Sequence, residues 1–266
     1  MDNKTYADLL TEVRAKRPLV HHITNYVTVN DCANVTICAG AAPVMAHSMD
    51  EVADMVSMAG ALVLNIGTLD AQQVESMLRA GAMANQLHVP IILDPVGAGA
   101  TRLRTSSANR IINDLQIAVI KGNAAEIASL AGVEGTIKGV DSYGVKGEPQ
   151  EIAVALAREL GLTVAISGPT DVVTDGNSTL LVDNGHPLMG SISGTGCMAS
   201  SITGAFNAVS ESSVVATAAA LAVFGIAGEK AALQSRAPAS FKVALLDELY
   251  GLTSTDVEKC LRIREA

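Results

Sequence analysis

The chain has 266 residues, 49% hydrophobic against 17% charged, with 3% aromatics and no tryptophan, which is ample for a full core built from small side chains. A formal net charge of −9 and a pI near 5.0 disfavour nucleic acid or an anionic membrane as partner, and neither is expected, because neutralising phosphates takes a basic face. The mean hydropathy of +0.34, without a continuous run of about 20 apolar residues, argues against a spanning helix and points to apolar surface hidden between subunits.

Leu9, Leu10 and Val13 form one face of a short helix that stops before Pro18. A strand from Pro18 runs into a polar turn at Thr24-Asn25, and Val27 to Ala39 predicts a helix ended by Gly40. A short strand follows at residues 42–46. Asp50 is expected to cap a helix through Val52, Val56 and Ala59, and residues 61–67 are a continuous apolar run, the mark of a strand covered on both faces. A helix is expected from Asp70 to Leu87, a strand over 89–97 that ends in an acid and a proline, a helix over 108–115 and a strand over 117–120.

A helix enters through Lys121-Gly-Asn123 and runs to Leu130. Residues 134–148 lack periodicity and read as a surface loop, and a further helix and strand occupy 152–160 and 163–166. This alternation predicts βαβ units and a largely parallel sheet. The rhythm then changes: β-branched runs either side of Asp175-Gly176 predict a small hairpin over 171–182, and helices follow over 197–209, 213–233, 240–249 and 255–263. No linker or internal repeat divides the chain, so one domain spanning residues 1–266 is expected.

Gly190, Gly194 and Gly196 lead directly into Cys197 and a small-residue helix. Such a turn serves either close packing or an anion, whose charge the exposed N–H groups and the helix dipole would both attract. No Gly-Lys-Ser/Thr follows, so it is not a Walker loop. In a parallel sheet, ligands collect at the carboxyl ends of strands, and Asp94, Lys121 and Ser167 each stand there together with the glycine turn. Asp94 either holds Mg²⁺ or caps the following loop; Glu126 either organises the metal or complements a helix dipole. The five histidines have neither metal nor triad spacing and read as structural or solvent-facing. Cys32, Cys38, Cys197 and Cys260 show no Cys-x-x-Cys pairing, and the polar start of the chain lacks a signal-peptide apolar region, so reduced thiols in a cytoplasmic protein are expected.

Asn123-Ala-Ala-Glu126 resembles the metal motif of the ribokinase-like kinases, and Gly194-Thr-Gly-Cys197 resembles their anion hole with its final acid replaced. More closely, Thr24-Asn25, Ala42-Pro-Val-Met45, Asn65-Ile-Gly-Thr68, Leu93-Asp-Pro-Val96, Lys121 to Glu126 and Gly194 to Met198 together resemble the hydroxyethylthiazole kinases, in order and without large gaps. The resemblance implies an α/β, ribokinase-like three-layer sandwich, with a mostly parallel sheet, helices on both faces, a small hairpin and no separate lid. It implies ATP-dependent phosphorylation of 4-methyl-5-(2-hydroxyethyl)thiazole in thiamine salvage, by a homotrimer with sites at the subunit boundaries. It further implies that Met45 lines the thiazole pocket with Gly194 beside the substrate, that Lys121 and Ser167 contact ATP, and that Asp94 and Glu126 serve Mg²⁺. Asn25 and Val27 join the substrate side, and Asn123 and Gly196 the ATP side.

Lys121 stands where many relatives have Arg and supplies charge without a bidentate fork. Cys197 takes the place of an aspartate near the alcohol. A helix N-terminus lowers a thiol's pKa while a triphosphate raises it, so its part as a base stays open, as does a purely structural one. The rivals are an ADP-dependent dehydratase or a pyrimidine-alcohol kinase of the same fold, both suited to Asp at 197, and a non-catalytic thiazole or nucleotide sensor.

Overall fold

The computed structural model describes residues 2–133, 136–138, 141–143 and 148–266. Its elements in chain order are α1 (Asn3–Lys16), β1 (Leu19–Ile23), α2 (Val29–Ala39), β2 (Ala42–Val44), α3 (Val52–Ser57), β3 (Ala61–Asn65), α4 (Ala71–Gln86), β4 (Ile91–Asp94) and α5 (Arg102–Asp114). There follow β5 (Val119–Asn123), α6 (Ala124–Leu130), β6 (Thr136–Lys138), β7 (Asp141–Tyr143), α7 (Pro149–Leu160), β8 (Thr163–Ser167), β9 (Asp171–Thr174) and β10 (Thr179–Val182). A 3-10 turn at Pro187–Ser191 leads to α8 (Thr195–Asn207), α9 (Ser213–Gln234), α10 (Pro238–Gly251), α11 (Ser254–Cys260) and β11 (Ile263–Glu265).

Among the described residues the main sheet has nine strands in the order β11-β10-β9-β8-β5-β4-β3-β1-β2. From β2 to β8 every pairing is parallel; β9, β10 and β11 extend the edge antiparallel. Strand side chains alternate between two cores. Val20, Val63, Ile92, Val119 and Ala165 face the layer of α1, α2, α8, α9 and α10. Ile23, Leu64, Leu93, Ile120 and Ile166 face the layer of α3 to α7. All five residues of β3 are buried, as its unbroken apolar sequence requires of a strand covered on both sides. The expected three layers and mostly parallel sheet are present.

The local chemistry follows the sequence. Asp70 caps α4 by accepting from the Gln73 N–H, and the helix buries Val74, Met77 and Ala84 at helical spacing. Asp175 Oδ1 accepts from the N–H groups of Asn177 and Ser178, which closes the expected hairpin. Helix α9 is long and apolar enough to cross a membrane, but 83% of its apolar window is buried inside the protein, where a helix hydrophobic all round belongs. All four cysteines are free. His21 and His22 are buried and bond the carbonyls of Ala46 and Val20, a structural use.

Several boundaries differ from expectation. Helix α5 begins at Arg102 rather than 108, because Thr101 caps it through the Arg104 N–H. Asp50 does not cap α3; Glu51 holds that position without a side-chain bond. Of the segment expected as a loop, 136–138 and 141–143 pair as antiparallel strands; the readings for 134–135, 139–140 and 144–147 lie outside the described residues. The last expected helix stops at Cys260, and Ile263–Glu265 instead adds β11 to the sheet edge.

Candidate active site

Six parallel strands end at one edge of the sheet, and polar residues at the ends of four of them meet there. Asn65 and Asp94 are register partners at the ends of β3 and β4, and Asn123 and Ser167 are partners at the ends of β5 and β8. Strand alternation decides which way these residues point. Asn65 follows Val63, Asp94 follows Ile92 and Lys121 follows Val119 at a spacing of two, so all three face α8.

Helix α8 presents its N-terminus to them. Gly194 is its N-cap at φ 92°, and a side chain there would collide with the Thr28 methyl. The first helical bond runs from the Met198 N–H to the Gly194 carbonyl at 2.8 Å, so the N–H groups of 195–197 stand at the open end. Lys121, only 2% exposed, reaches across to donate from Nζ to the Gly196 carbonyl at 3.1 Å.

Asparagines tie the strand ends to the helix. Asn65 Nδ2 donates to Asp94 Oδ2 at 2.7 Å and to Cys197 Sγ at 3.2 Å. Asn25 Nδ2 donates to Asn65 Oδ1 at 2.9 Å and to the same sulfur at 3.3 Å, while Asn25 Oδ1 accepts from both N–H and hydroxyl of Thr28. Ser200, one turn along α8, donates its hydroxyl to Asp94 Oδ2 at 2.8 Å. Glu126 completes a capping box with Asn123: Oε2 accepts from the Asn123 N–H and Oε1 from the Gly97 N–H, both at 2.8 Å.

Burial governs the protonation of these groups. Asp94 is pushed above the ordinary carboxylate range by loss of solvent, against the pull of Lys121. Glu126 is pushed up to about 7 by burial and then by the Asp94 charge. Two buried carboxylates that each resist ionisation are the chemistry of a cation site, because a shared positive charge relieves both. Among the described residues no group of three His, Cys, Asp or Glu is placed to hold a metal, so this pair would leave most coordination positions to phosphate oxygens and water. Cys197 is pushed up to about 12, by burial first and by Asp94 second. At neutral pH it is a thiol, and the attraction of the helix N-terminus does not overcome its surroundings.

These residues border a cavity of about 480 Å³. Its lining includes Asn25, Val27, Gly194 and Cys197, together with Lys121, Asn123, Ser167 and Gly196 and the two acids Asp94 and Glu126. Met45 is not brought to it: the residue follows β2 at the outer edge of the sheet, two strands beyond β3. A second cavity of about 530 Å³ shares Lys121, Ser167, Thr195 and Gly196 with the first. Met189, Leu221 and Phe224 give it apolar walls, and Asp171 adds a carboxyl pushed up to about 6 by burial.

Sequence reading missed the parts of Asn65, Thr28, Ser200 and Asp171. Asn65 carried a signal, since it closes an apolar strand as Asp94 does; Ser200 did not, because a serine inside a helix ordinarily bonds its own backbone.

The model of the hydroxyethylthiazole kinase family matches residues 10–255. The hydroxyethylthiazole kinase of Methanocella arvoryzae is 66% identical over 266 residues, covering 100% of both chains. The solved hydroxyethylthiazole kinase of Pyrococcus horikoshii superposes with a TM-score of 0.92 at 44% identity, covering 99% of each chain. A ribokinase-like superfamily protein of Enterococcus faecalis shares the fold with a TM-score of 0.64 at 15% identity, over 93% of this chain and 95% of that one.

Proposed function

This chain belongs to the hydroxyethylthiazole kinase family and phosphorylates the hydroxyl of hydroxyethylthiazole with ATP, and we propose that it does so in the 480 Å³ cavity, as one kinase domain spanning residues 1–266, in thiamine salvage. One observation carries the location: two buried carboxylates, a buried lysine and the open end of α8 all face one small volume. Such a volume suits a transferring phosphoryl group, whose charge needs both fixed N–H donors and cations.

In this reading the nucleotide occupies the 530 Å³ cavity with its triphosphate passing Ser167 and Lys121, and the alcohol enters past Asn25 and Val27. The alcohol oxygen forms the new bond to the γ-phosphorus as the bond to ADP breaks. The N–H groups of 195–197 and Lys121 offset charge on the phosphoryl oxygens. Asp94 and Glu126 would hold Mg²⁺, which supplies charge neutralisation of the phosphates when bound. Cys197, with its sulfur accepting from Asn25 and Asn65, touches the alcohol and orients it as a neutral thiol. A loose transition state makes little demand on a base, so the alcohol proton leaves late, to solvent or phosphate oxygen.

The active assembly is a cytoplasmic homotrimer with sites at the subunit boundaries. Met45 lies outside this chain's own cavity, and Val27, which lines it, and the adjacent Tyr26 are 69% and 60% exposed, an apolar surface suited to a neighbouring copy. Incubating the protein with MgATP and a panel of hydroxylated thiazoles and pyrimidines, and following ADP release, tests the reaction. Turnover confined to hydroxyethylthiazole supports it, and turnover of the pyrimidines alone would overturn it. Light scattering tests the trimer.

A further inference from the structure

The wall of the 530 Å³ cavity is a strap, residues 184–190, that runs from the end of β10 towards the Gly194 cradle. It lies directly on α9: a Cβ at Gly225 would come within 2.5 Å of the Asn184 carbonyl oxygen. Nothing in the phosphoryl-transfer site holds the start of this strap. Glu229, one turn further along α9, does.

Glu229 Oε1 accepts from the Gly185 N–H at 2.7 Å and from Asn184 Nδ2 at 3.3 Å. Asn184, itself buried, also donates to the Cys260 carbonyl at 3.0 Å and accepts from the Arg262 N–H at 2.8 Å. The Arg262 guanidinium meets both Glu229 oxygens, at 2.6 and 3.1 Å, and donates to the Asp183 carbonyl at 2.8 Å. Asp183 then accepts from Thr170 at 2.7 Å, which ties in the loop carrying Pro169 and Asp171 on the facing wall of the same cavity. A carboxylate in such a position is not a surface ion pair alone. It accepts a backbone N–H of the cavity wall, and the arginine that neutralises it arrives from the strand segment at the C-terminal end.

We propose that Glu229, neutralised by Arg262, is a positioning residue for the nucleotide. It sets Asn184 and Gly185 at the depth the cavity requires, and acts through them without touching the ligand. The inference rests on reading this cavity as the nucleotide's. It gives β11 and the residues before it a part in substrate binding, by way of a wall more than 70 residues earlier in the chain.

The test uses Glu229→Ala and Arg262→Met in the full chain, with equilibrium binding of a non-hydrolysable ATP analogue, KM for each substrate, and thermal unfolding. Glu229→Ala is expected to weaken analogue binding about tenfold and to raise KM for ATP in step, because it strands the Gly185 donor. KM for hydroxyethylthiazole should stay within about twofold, and the effect should fall on KM for ATP more than on kcat. Arg262→Met should raise KM for ATP about threefold, and it carries the test if the alanine variant fails to fold. Unaltered analogue affinity in a folded variant, or an equal rise in KM for both substrates, overturns the brace. Failure of the unsubstituted protein to bind the analogue is a different result, which overturns the reading of the cavity.

Discussion

Asn65 holds Asp94 by an amide-to-carboxylate hydrogen bond of 2.7 Å, and the other hydrogen of the same amide group points to the sulfur of Cys197. One side chain thus links the acid proposed for the metal to the thiol proposed for the alcohol, and fixes the distance between them. Among the described residues, both bonds that the Asp94 carboxyl accepts, from Asn65 and Ser200, fall on Oδ2, and Oδ1 takes part in neither.

Replacing Asn65 with Ala should therefore lower kcat/KM roughly 10- to 100-fold, the worth of a hydrogen bond to a charged group. Serine at 200 supports the same oxygen, so Ser200→Ala should cost less, about tenfold or under. Steady-state kinetics with circular dichroism to confirm folding would check this. A normal kcat/KM in Asn65→Ala would remove the amide link from the mechanism.

A thiol pushed up to about 12 has a thiolate fraction on the order of one in ten thousand at pH 8. The kcat profile between pH 6 and 9 should then show no ionisation belonging to Cys197. Cys197→Ala should keep measurable turnover, and Cys197→Asp should work at least as well as the parent. If both variants fold and bind ATP yet are inactive, the orienting role assigned to this thiol is wrong.

Glu126 makes stability depend on pH in an unusual direction. Its carboxyl keeps a proton in the folded state up to about 7, whereas in the unfolded chain it releases it near 4.5. The folded state binds the proton more, so this contribution to stability is present below pH 4.5, declines as pH rises through the window to 7, and is lost above it. At pH 8 and without metal, Glu126→Gln should be up to roughly 3 kcal/mol more stable than the parent, while losing activity. At pH 4.5 most of that gain should be gone. Urea unfolding at the two pH values measures it, and an equal gain at both would show that charge is not the cause. Added Mg²⁺ with ADP should narrow the difference at pH 8 by stabilising the parent.

Gly194 adopts φ 92° and faces the Thr28 methyl, so Gly194→Ala strains the backbone and displaces its neighbour. The expected loss is about 1–3 kcal/mol of stability, with kcat down tenfold or more as the N–H cradle shifts. Urea unfolding and kinetics would check both. A variant with parental kcat would place the phosphoryl group elsewhere.

The sequence by itself determined the alternation of strands and helices, and with it the edge where Asp94, Lys121, Ser167 and the glycine turn collect. The reason is local: unbroken apolar runs become doubly covered strands, and the polar residue that ends each one must lie at the sheet's carboxyl edge. Boundaries set by caps were less legible, as Thr101 and Glu51 show, since several nearby residues can serve as a cap. Only the tertiary structure decided the rest. The Cys197 thiol meets Asn65 and Asn25 across 132 and 172 residues, and its protonation follows from burial and a buried acid that no local pattern encodes. The chain's own cavity excludes Met45 because β2 falls at one edge of the sheet, and at the opposite edge β11 pairs with β10 through backbone bonds that almost any short extended segment can make. Desolvation and long-range pairing depend on what the whole chain brings together, so they appear only once it has folded.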